Sequence, residues 1–386
     1  MIEDGKRIHG LDALRAVAML LGVVLHSAIA YKFKPHRNWA HDDQFNSWVF
    51  DYLYFMIHSF RMALFFLVAG FFARLLYYKI GEKQFIIHRW KRVGIPFILA
   101  MIFILPFSII PHNFYLFYYR DGMPFMEALK RSVFKIFGYN GLAHLWFLYD
   151  LIIFYVIMII TLRLKKIAFI GSVYKRISGL CSNMDFRRWY WVLIAIIPVW
   201  VCLLPEKGLL VITDTSLIPK RINNLFFYGY MFLLGWLFNM RSDIFPRLIN
   251  NYRLLLISGF ILGCISFYFE WTLEETSAIF LKLLAKIGTS LQIICFVLGF
   301  LGFFLSFFKF KSDKWSYISD ASYWVYLIHL GIVTTLQICF LNSNVPGMLR
   351  FPLVLSISLI VSFVTYQLFV RYTFIGNLLH GRRNKV

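Results

Sequence analysis

The sequence is poor in charged residues, and acids are the scarcest of them. Only 15% of its 386 residues are Asp, Glu, Lys or Arg, whereas about a quarter are charged in typical soluble domains. Acidic residues number 19 against 40 basic ones, and 60% of the chain is hydrophobic. This composition excludes an ordinary soluble globular protein and indicates a chain that resides in a lipid bilayer.

Cysteine is also scarce, and its positions indicate no cysteine chemistry. No two cysteines have the spacing of a metal or redox motif, and four of the five fall within apolar runs. A disulfide framework is therefore not expected, and we expect no metal centre. The cysteines are Cys181, Cys202, Cys264, Cys295 and Cys339.

Long apolar runs dominate what is present. Many have about 17–25 residues, the length that a helix needs to cross a hydrocarbon core of about 30 Å. The sequence therefore predicts an all-α polytopic membrane protein of about ten transmembrane helices, forming a single domain over residues 1–386. The predicted spans are 11–31, 51–78, 93–112, 142–163, 189–204, 222–239, 254–270, 286–308, 317–340 and 351–372.

Positive charge is distributed unevenly between the loops. If the N-terminus is cytoplasmic, 23 of the 40 Lys and Arg residues lie in cytoplasmic segments and 13 in the opposite ones. This bias follows the positive-inside rule, so both termini are predicted to be cytoplasmic. The net charge of +21 then reflects contact with anionic lipid headgroups, and no nucleic-acid partner is expected.

The first span holds an arginine and a histidine in register. Arg15 is the first and His26 the last residue of the stretch "RAVAMLLGVVLH". Their separation of eleven residues is close to three helical turns, so both side chains lie on one face of the helix, about 16 Å apart along its axis. Asp12 lies within pairing distance of Arg15. Intramembrane charges are costly and are candidates for function. The alternatives to a functional role are structural: Asp12 and Arg15 form an ion pair at the membrane surface, and His26 makes a hydrogen bond to a neighbouring helix.

The second span carries three more basic residues. His58 and Arg61 share one face in its outer half, and Arg74 lies near its inner end. They are candidates for binding a substrate. Alternatively, Arg61 pairs with Asp51 or Asp150.

Two arginines precede the third span. Arg89 and Arg92 lie three residues apart in "RWKRVGIP", where Gly-Ile-Pro suggests a break before the span. Two guanidinium groups at this spacing suit phosphate binding. Anchoring at the inner membrane surface is the alternative.

Later spans add further polar groups. "HLWFLYD" places His144 and Trp146 at the outer interface, and "SYWVYLIH" places Tyr326 and His329 near mid-membrane. The whole set forms a column from a cationic inner mouth to a deeper cluster with a potential base. Such a column suits a large anionic donor from the cytosol and an acceptor from outside.

The outer loop 113–140 contains a candidate amphipathic helix over 124–137. Phe125, Leu129, Val133 and Phe137 recur there at helical spacing, between basic residues. Such a helix lies among the headgroups or covers a site as a lid.

These motifs resemble the signature of the integral-membrane acyltransferase family three. The matching stretches are R-x10-H on the first span, "RWKR", "FFLVAGFF", "HLWFL" and "YWVYLIH". "IHSFRM" and "RVGIP" resemble more closely a branch that acts on periplasmic glucans. The resemblance runs from Leu11 to about His329. Many members have Ser-Gly where this chain has Ala69-Gly70, so any hydroxyl role at that place is absent.

The resemblance implies transfer of an acyl group from cytosolic acyl-CoA to a hydroxyl of a periplasmic glucan or another envelope glycan, in the bacterial inner membrane. Succinyl-CoA is favoured over acetyl-CoA as donor. His26 is implied as general base or acyl relay, with Asp12 and Arg15 supporting it. Arg15, Arg74, Arg89 and Arg92 are the candidates for binding CoA. Those for binding the substrates are His58, Arg61, His144, Trp146, Tyr326 and His329, with Arg61 suited to a free succinyl carboxylate.

Two alternatives remain open from the sequence. One is an O-acetyltransferase of lipopolysaccharide or another envelope polysaccharide. The other is a transporter, which would also place charges mid-membrane. The chain shows no internal symmetry, however, and Asp150 is the only clear acid within a span.

Overall fold

The computed structural model describes residues 8–36, 38–165, 190–273 and 278–381, with isolated positions between 167 and 188. The regular secondary structure of these residues is helical, with no β-strand, as predicted. Cys181 and most of the basic segment 163–188 lie outside the described residues. The α-helices are α1 His9–Ile29, α2 Trp48–Ile80, α3 Glu82–Arg89, α4 Ile95–Leu99, α5 Leu105–Phe114, α6 Phe125–Phe134, α7 Trp146–Leu164, α8 Tyr190–Leu203, α9 Ile222–Met240, α10 Phe245–Thr272, α11 Ile279–Phe307, α12 Asp313–Leu341, α13 Gly347–Thr365 and α14 Phe374–Leu379.

Within the described part of the chain, eight helical segments are long and apolar enough to cross a membrane. A run of about 20 apolar residues matches the bilayer core, so the protein is a multi-pass membrane protein. The segments are His9–Ile29, Trp48–Ile80, Glu82–Arg120, Ala143–Leu164, Ser242–Thr272, Ile279–Phe307, Asp313–Leu341 and Gly347–Val370.

The two other predicted spans, 189–204 and 222–239, coincide with α8 and α9. Helix α8 has 14 residues and is about 21 Å long at 1.5 Å per residue, which is short of the bilayer core. Helix α9 has 19 residues, with asparagines near both of its ends. Every predicted span thus corresponds to a helix, and the total of ten crossings stays a prediction.

The third segment differs from the sequence-based prediction. A span over 93–112 between two loops was expected, but the chain is helical from Glu82 to Arg120. Short α-helices alternate there with π-helical turns at Trp90–Gly94, Ala100–Ile104 and Tyr115–Arg120. The π turns let the helix continue through its prolines instead of ending at them.

Pro96 shows how this continuity is maintained. Proline has no N–H, so the carbonyl of Arg92, four residues earlier, loses its helical partner. The Tyr323 hydroxyl donates a hydrogen bond to that carbonyl at 3.4 Å. The expected break at Gly-Ile-Pro is therefore wrong, and Arg89 and Arg92 belong to a helix that enters the bundle.

Helix α1 lies inside the bundle, in contact with α2, α11, α12 and α13. Small residues permit this: a Cβ on Gly10 would meet the Phe304 carbonyl oxygen of α11 at 2.6 Å. Close backbone packing through small residues is typical of membrane helices. The polar residues of α1 therefore face neighbouring helices.

Helices α2 and α9 also cross at glycines. A Cβ on Gly70 would overlap the Phe232 carbonyl, and one on Gly235 would overlap the Leu67 carbonyl. This close packing fixes α2, which carries His58 and Arg61, against α9.

The amphipathic segment forms helix α6. Its buried residues are Ala128 and Ser132, whereas Phe125, Leu129 and Val133 are exposed. The apolar side chains thus point away from the protein, which favours a helix lying at the membrane surface over a lid.

Candidate active site

A cavity of about 550 Å³ lies beside the C-terminal half of α1. Five of the predicted site residues line it and define what we call the histidine cavity: His26, His58, Arg61, His144 and Trp146. Other lining residues include Trp39, Tyr54, Tyr139 and several residues between 208 and 215. Aromatic rings and a few polar groups around a concave space are typical of a small-molecule site.

His26 is partly exposed to this cavity. Its ring stacks on Trp39 at 5.7 Å between centroids and lies 5.3 Å from the ring of His329. Its Nδ1 atom is buried without a hydrogen-bond partner among the described residues. Packing, and not a carboxylate, therefore orients the imidazole.

Tyr326 and His329 lie behind the cavity wall, although they were predicted to bind substrate. His329 Nδ1 lies 2.7 Å from the Tyr326 carbonyl, and the Tyr326 hydroxyl donates to the His144 carbonyl at 2.6 Å. A carbonyl only accepts, so Nδ1 carries the proton of neutral His329 and Nε2 is left as an acceptor. That Nε2 is buried without a partner among the described residues.

His144 bridges this second layer and the cavity. Its Nε2 lies 2.8 Å from the Leu327 carbonyl, to which it donates, and its ring is 5.5 Å from that of His329. Three imidazoles thus follow one another from His26 to His329 to His144. Within the described residues, no group of three or more His, Cys, Asp or Glu is arranged to hold a metal ion.

Gln337 is a site residue that the sequence analysis missed. Its Nε2 donates to the carbonyls of His26 and Ser27 at 3.0 and 3.1 Å, and its Oε1 accepts from Trp39 Nε1 at 3.0 Å. These carbonyls belong to the last turn of α1, where helical partners run out. Gln337 therefore fixes both the end of α1 and the indole that stacks on His26.

The loop between α8 and α9 covers part of the histidine cavity. Its Leu209 N–H donates to Glu270 at 2.6 Å, and its Val211 carbonyl lies 3.2 Å from His58 Nε2. Buried Glu206 accepts from Asn223 at 2.5 Å and from Arg221 at 3.2 Å. Carboxylates thus hold this loop over the cavity.

Asp214 organises the same loop. Burial by itself raises the pKa of Asp214, but the N–H groups of Ser216, Arg221 and Lys220 donate to its carboxylate and bring the pKa below the ordinary 3.8. Their distances to the carboxylate are 3.0, 2.8 and 2.5 Å. The loop is therefore best held with Asp214 ionised.

A second cavity, of about 460 Å³, lies beside the N-terminal half of α1. Asp12, Arg15, Arg89 and Arg92 line it, as the sequence predicted, and we call it the arginine cavity. Arg15 Nη2 lies 3.7 Å from Asp12 Oδ1 and 3.4 Å from Ser319 Oγ. Ile8 and His380 also line it, so both ends of the described chain are at this end of the bundle.

The C-terminal helix α14 lies at the arginine cavity. Arg92 Nη1 donates to the carbonyls of Asn377 and Leu378 at 2.7 and 3.1 Å. The Arg89 guanidinium lies over the rings of Phe85 and Tyr155, at 5.3 and 5.2 Å. Both guanidinium groups retain donors for a further ligand, since each has five.

Arg74, predicted to join these arginines, does not line the arginine cavity. It donates to Asn239 Oδ1 at 2.8 Å and lies over the ring of Tyr78 at 4.8 Å. Its partners show that it fastens α2 to α9.

A thin apolar layer separates the two cavities. Met19, Phe65 and Phe147 line the arginine cavity, whereas Arg61, one turn before Phe65 on α2, lines the histidine cavity. The rings of Phe65 and Phe147 meet edge to face at 4.4 Å. These side chains therefore lie at the boundary between the two cavities.

A family model described as an acyltransferase domain matches residues 8–367. The chain belongs to this acyltransferase family. Its relatives include the glucans biosynthesis protein C of Escherichia coli strains SMS-3-5 / SECEC and K12. Each is 25% identical over 344 residues, which cover 84% of this chain and 81% of the relative. No solved structure matches the chain.

Membership of the acyltransferase family confirms the resemblance drawn from the motifs. It also gives the two cavities a common context, because an acyltransferase brings an acyl donor and an acceptor together. The arginine cavity presents cations, and the histidine cavity presents imidazoles and aromatic rings.

Proposed function

We propose that this acyltransferase moves a succinyl group from succinyl-CoA to a hydroxyl of a periplasmic glucan. Its single domain then lies in the bacterial inner membrane with both termini cytoplasmic, so that the arginine cavity faces the cytosol. The observation that carries the proposal is the pair of cavities meeting at one thin layer, with His26 on the acceptor side. The similarity to glucans biosynthesis protein C supports a glycan acceptor.

The donor binds at the arginine cavity. CoA is rich in phosphate, and Arg15, Arg89 and Arg92 supply guanidinium groups that bind phosphate oxygens in fork geometry. The pantetheine arm passes Met19 and Phe65 and presents the thioester to His26. Asp12 supports this arrangement through Arg15 and does not touch the reacting atoms.

The acceptor binds at the histidine cavity. Trp39, Tyr54 and Trp146 offer apolar faces to sugar rings, and the imidazoles offer hydrogen bonds to hydroxyl groups. A sugar hydroxyl is a weak nucleophile at neutral pH, and histidine is the side chain best suited to take its proton there.

The reaction then has two balanced forms. In direct transfer, His26 takes the hydroxyl proton, the oxygen attacks the thioester carbonyl, and the CoA thiolate leaves and receives that proton. In the relay form, a His26 nitrogen attacks the thioester carbonyl, and the CoA thiolate leaves and takes the proton of the acylated imidazole. The sugar hydroxyl then attacks the acyl group and displaces the imidazole, which receives the hydroxyl proton. Both forms need His26.

Mass spectrometry of the periplasmic glucans tests the proposal. Cells with the wild-type protein should carry succinyl substituents on the glucan, and cells with His26→Ala should carry none. His41→Ala is the matched control, because His41 lines neither cavity and pairs with Asp43 at 3.5 Å.

Other outcomes would change the proposal in defined ways. Loss of acetyl in place of succinyl would support the O-acetyltransferase. Retention of full substitution in His26→Ala would refute the role of His26. No change in any glycan fraction on deleting the gene would favour a transporter.

A further inference from the structure

Arg61 is a buried cation that has no anionic partner within the described part of the chain. Its side chain is only 8% exposed and lines the histidine cavity. Its Nε is buried without a partner, and no ion pair or hydrogen bond from its guanidinium to another described residue is present. Burying an unpaired charge is costly, so a group that enters the cavity is expected to complete the pair.

The carboxylates suggested by the sequence do not serve as partners. Asp51 pairs with Lys32 at 3.6 Å and accepts the Phe33 N–H at 2.6 Å. Asp150 makes no ion pair with Arg61 in the described part of the chain, and the groups that interact electrostatically with Arg61 are tyrosines and histidines, none of them a carboxylate. The pairing alternative is therefore wrong for this structure.

Gly22 provides the space that the guanidinium occupies. A Cβ on Gly22 would overlap Arg61 Nη1, and it would lie 3.5 Å from Arg61 Cζ and 4.0 Å from His329 Nε2. Gly22 precedes His26 by four residues on α1, about one helical turn. The absence of a side chain at this position brings the Arg61 charge beside the proposed reaction centre.

We propose that Arg61, in the space left by Gly22, binds the free carboxylate of a dicarboxylic acyl group and so selects succinyl over acetyl donors. This inference rests on the proposed function. The two carbonyl carbons of a succinyl group are joined by three C–C bonds of about 1.5 Å each. The extended group spans about 4 Å between these carbons, and a hydrogen bond of about 2.8 Å at its carboxylate extends that reach beyond the one helical turn, about 5.4 Å, between Gly22 and His26.

The selectivity follows from what each donor leaves in the cavity. A succinyl group completes a charge-assisted pair with the guanidinium fork. An acetyl group lacks the carboxylate and leaves the buried charge unpaired, and sites built around a polar group discriminate strongly against such analogues.

The test compares two donors on the full-length protein in lipid nanodiscs. CoA thiol release is followed with succinyl-CoA and acetyl-CoA, and a β-linked glucose oligosaccharide serves as acceptor. Arg61→Met should lower kcat/KM for succinyl-CoA about 100-fold, or about 2.7 kcal/mol at 1.36 kcal/mol per factor of ten. With acetyl-CoA the change should stay within about threefold.

Two further variants separate this role from folding. Gly22→Ala should reduce use of succinyl-CoA selectively, because it displaces the Arg61 guanidinium. Gly288→Ala is the matched control, since a Cβ there meets nothing within 4 Å. Equal losses with both donors in Arg61→Met, or a wild-type preference for acetyl-CoA, would overturn the proposal.

Ligand binding tests the same inference independently of turnover. Free succinate should raise the thermal midpoint of the wild type, whereas succinamate, its monoamide, should raise it less, and Arg61→Met should abolish the difference. If no transfer occurs with either donor, the proposed function fails. The comparison of succinate with succinamate still tests whether Arg61 binds a carboxylate. Equal effects of the two ligands would refute the site.

Discussion

Replacing Gln337 by leucine tests whether the end of α1 positions His26. Gln337 is 1% exposed, and leucine of similar size removes its three hydrogen bonds to His26, Ser27 and Trp39. Side-chain hydrogen bonds between membrane helices average about 0.6 kcal/mol. Three of them therefore predict a loss of about 2 kcal/mol in the free energy of unfolding.

The loss of activity should exceed the loss of stability. A catalytic group displaced by about 1 Å costs on the order of 100-fold in rate, and the variant releases both the helix end below His26 and the indole against its ring. We expect kcat to fall by about 10- to 100-fold. The KM for acyl-CoA should stay constant, because the arginine cavity lies at the other end of α1.

The assay combines CoA release kinetics with thermal unfolding in nanodiscs, and Gln292→Leu is the control. Gln292 is also buried and donates to Ser59 Oγ at 3.1 Å, but it touches neither His26 nor Trp39. Both variants should lose stability, and only Gln337→Leu should lose kcat. Equal kcat values in the two variants would refute the positioning role. Gln337→Glu keeps an acceptor for the Trp39 indole but loses the N–H donors to the His26 and Ser27 carbonyls. Its kcat should therefore lie between those of Gln337→Leu and Gln292→Leu.

Three further predictions concern the arginine cavity, the packing of the helices and the loop over the histidine cavity. Arg89→Ala combined with Arg92→Ala should raise the KM for acyl-CoA at least tenfold with a smaller change in kcat; an unchanged KM in CoA release kinetics would exclude these arginines from donor binding. Gly70→Ala should lower the thermal midpoint far more than Gly288→Ala, because its Cβ overlaps a carbonyl of α9; equal midpoints would contradict the packing. Because the pKa of Asp214 is below 3.8, its stabilisation of the loop is present above pH 3.8 and is lost as the pH falls through the lowered pKa. Hydrogen exchange of the 208–221 backbone should show that loss, and Asp214→Asn should remove the pH dependence.

Helix positions could be predicted because the thickness of the bilayer sets the length of an apolar run. The boundaries of the third segment could not, since they depend on how the carbonyl freed by Pro96 is satisfied. Tyr323 supplies that hydrogen bond from more than 200 residues away. No local pattern reports such a partner.

Helical periodicity indicates on which face of its helix each predicted site residue lies. The shared face of Arg15 and His26 follows from their spacing, and the two residues line the two cavities in order along α1. Arg74 lies thirteen residues after Arg61, which at 3.6 residues per turn places it on nearly the opposite face. The similar depth of the arginines in the membrane suggested a common site. The side chain of Arg74, however, points to a different side of α2, and it does not line the arginine cavity.

Gln337 and Trp39 both lie near His26, but neither was predicted from the sequence. Gln337 lies eleven residues after Tyr326, close to three turns, so its position on the face of α12 that meets the site was available from the sequence. Trp39 lies in a loop, where no period applies. Its stacking on His26 depends on the fold of that loop against α12.

The layer of Met19, Phe65 and Phe147 has a consequence for the membrane as a whole. The two cavities approach each other along α1 from opposite ends, and an energised membrane keeps its ion gradient only if they never join. Under the proposed function, the layer is a permeability seal as well as the path of the acyl chain. A pantetheine arm that fills the passage as it enters would maintain the seal during transfer. The proposed reaction would thus move a covalent group across the barrier while leaving the electrochemical potential intact.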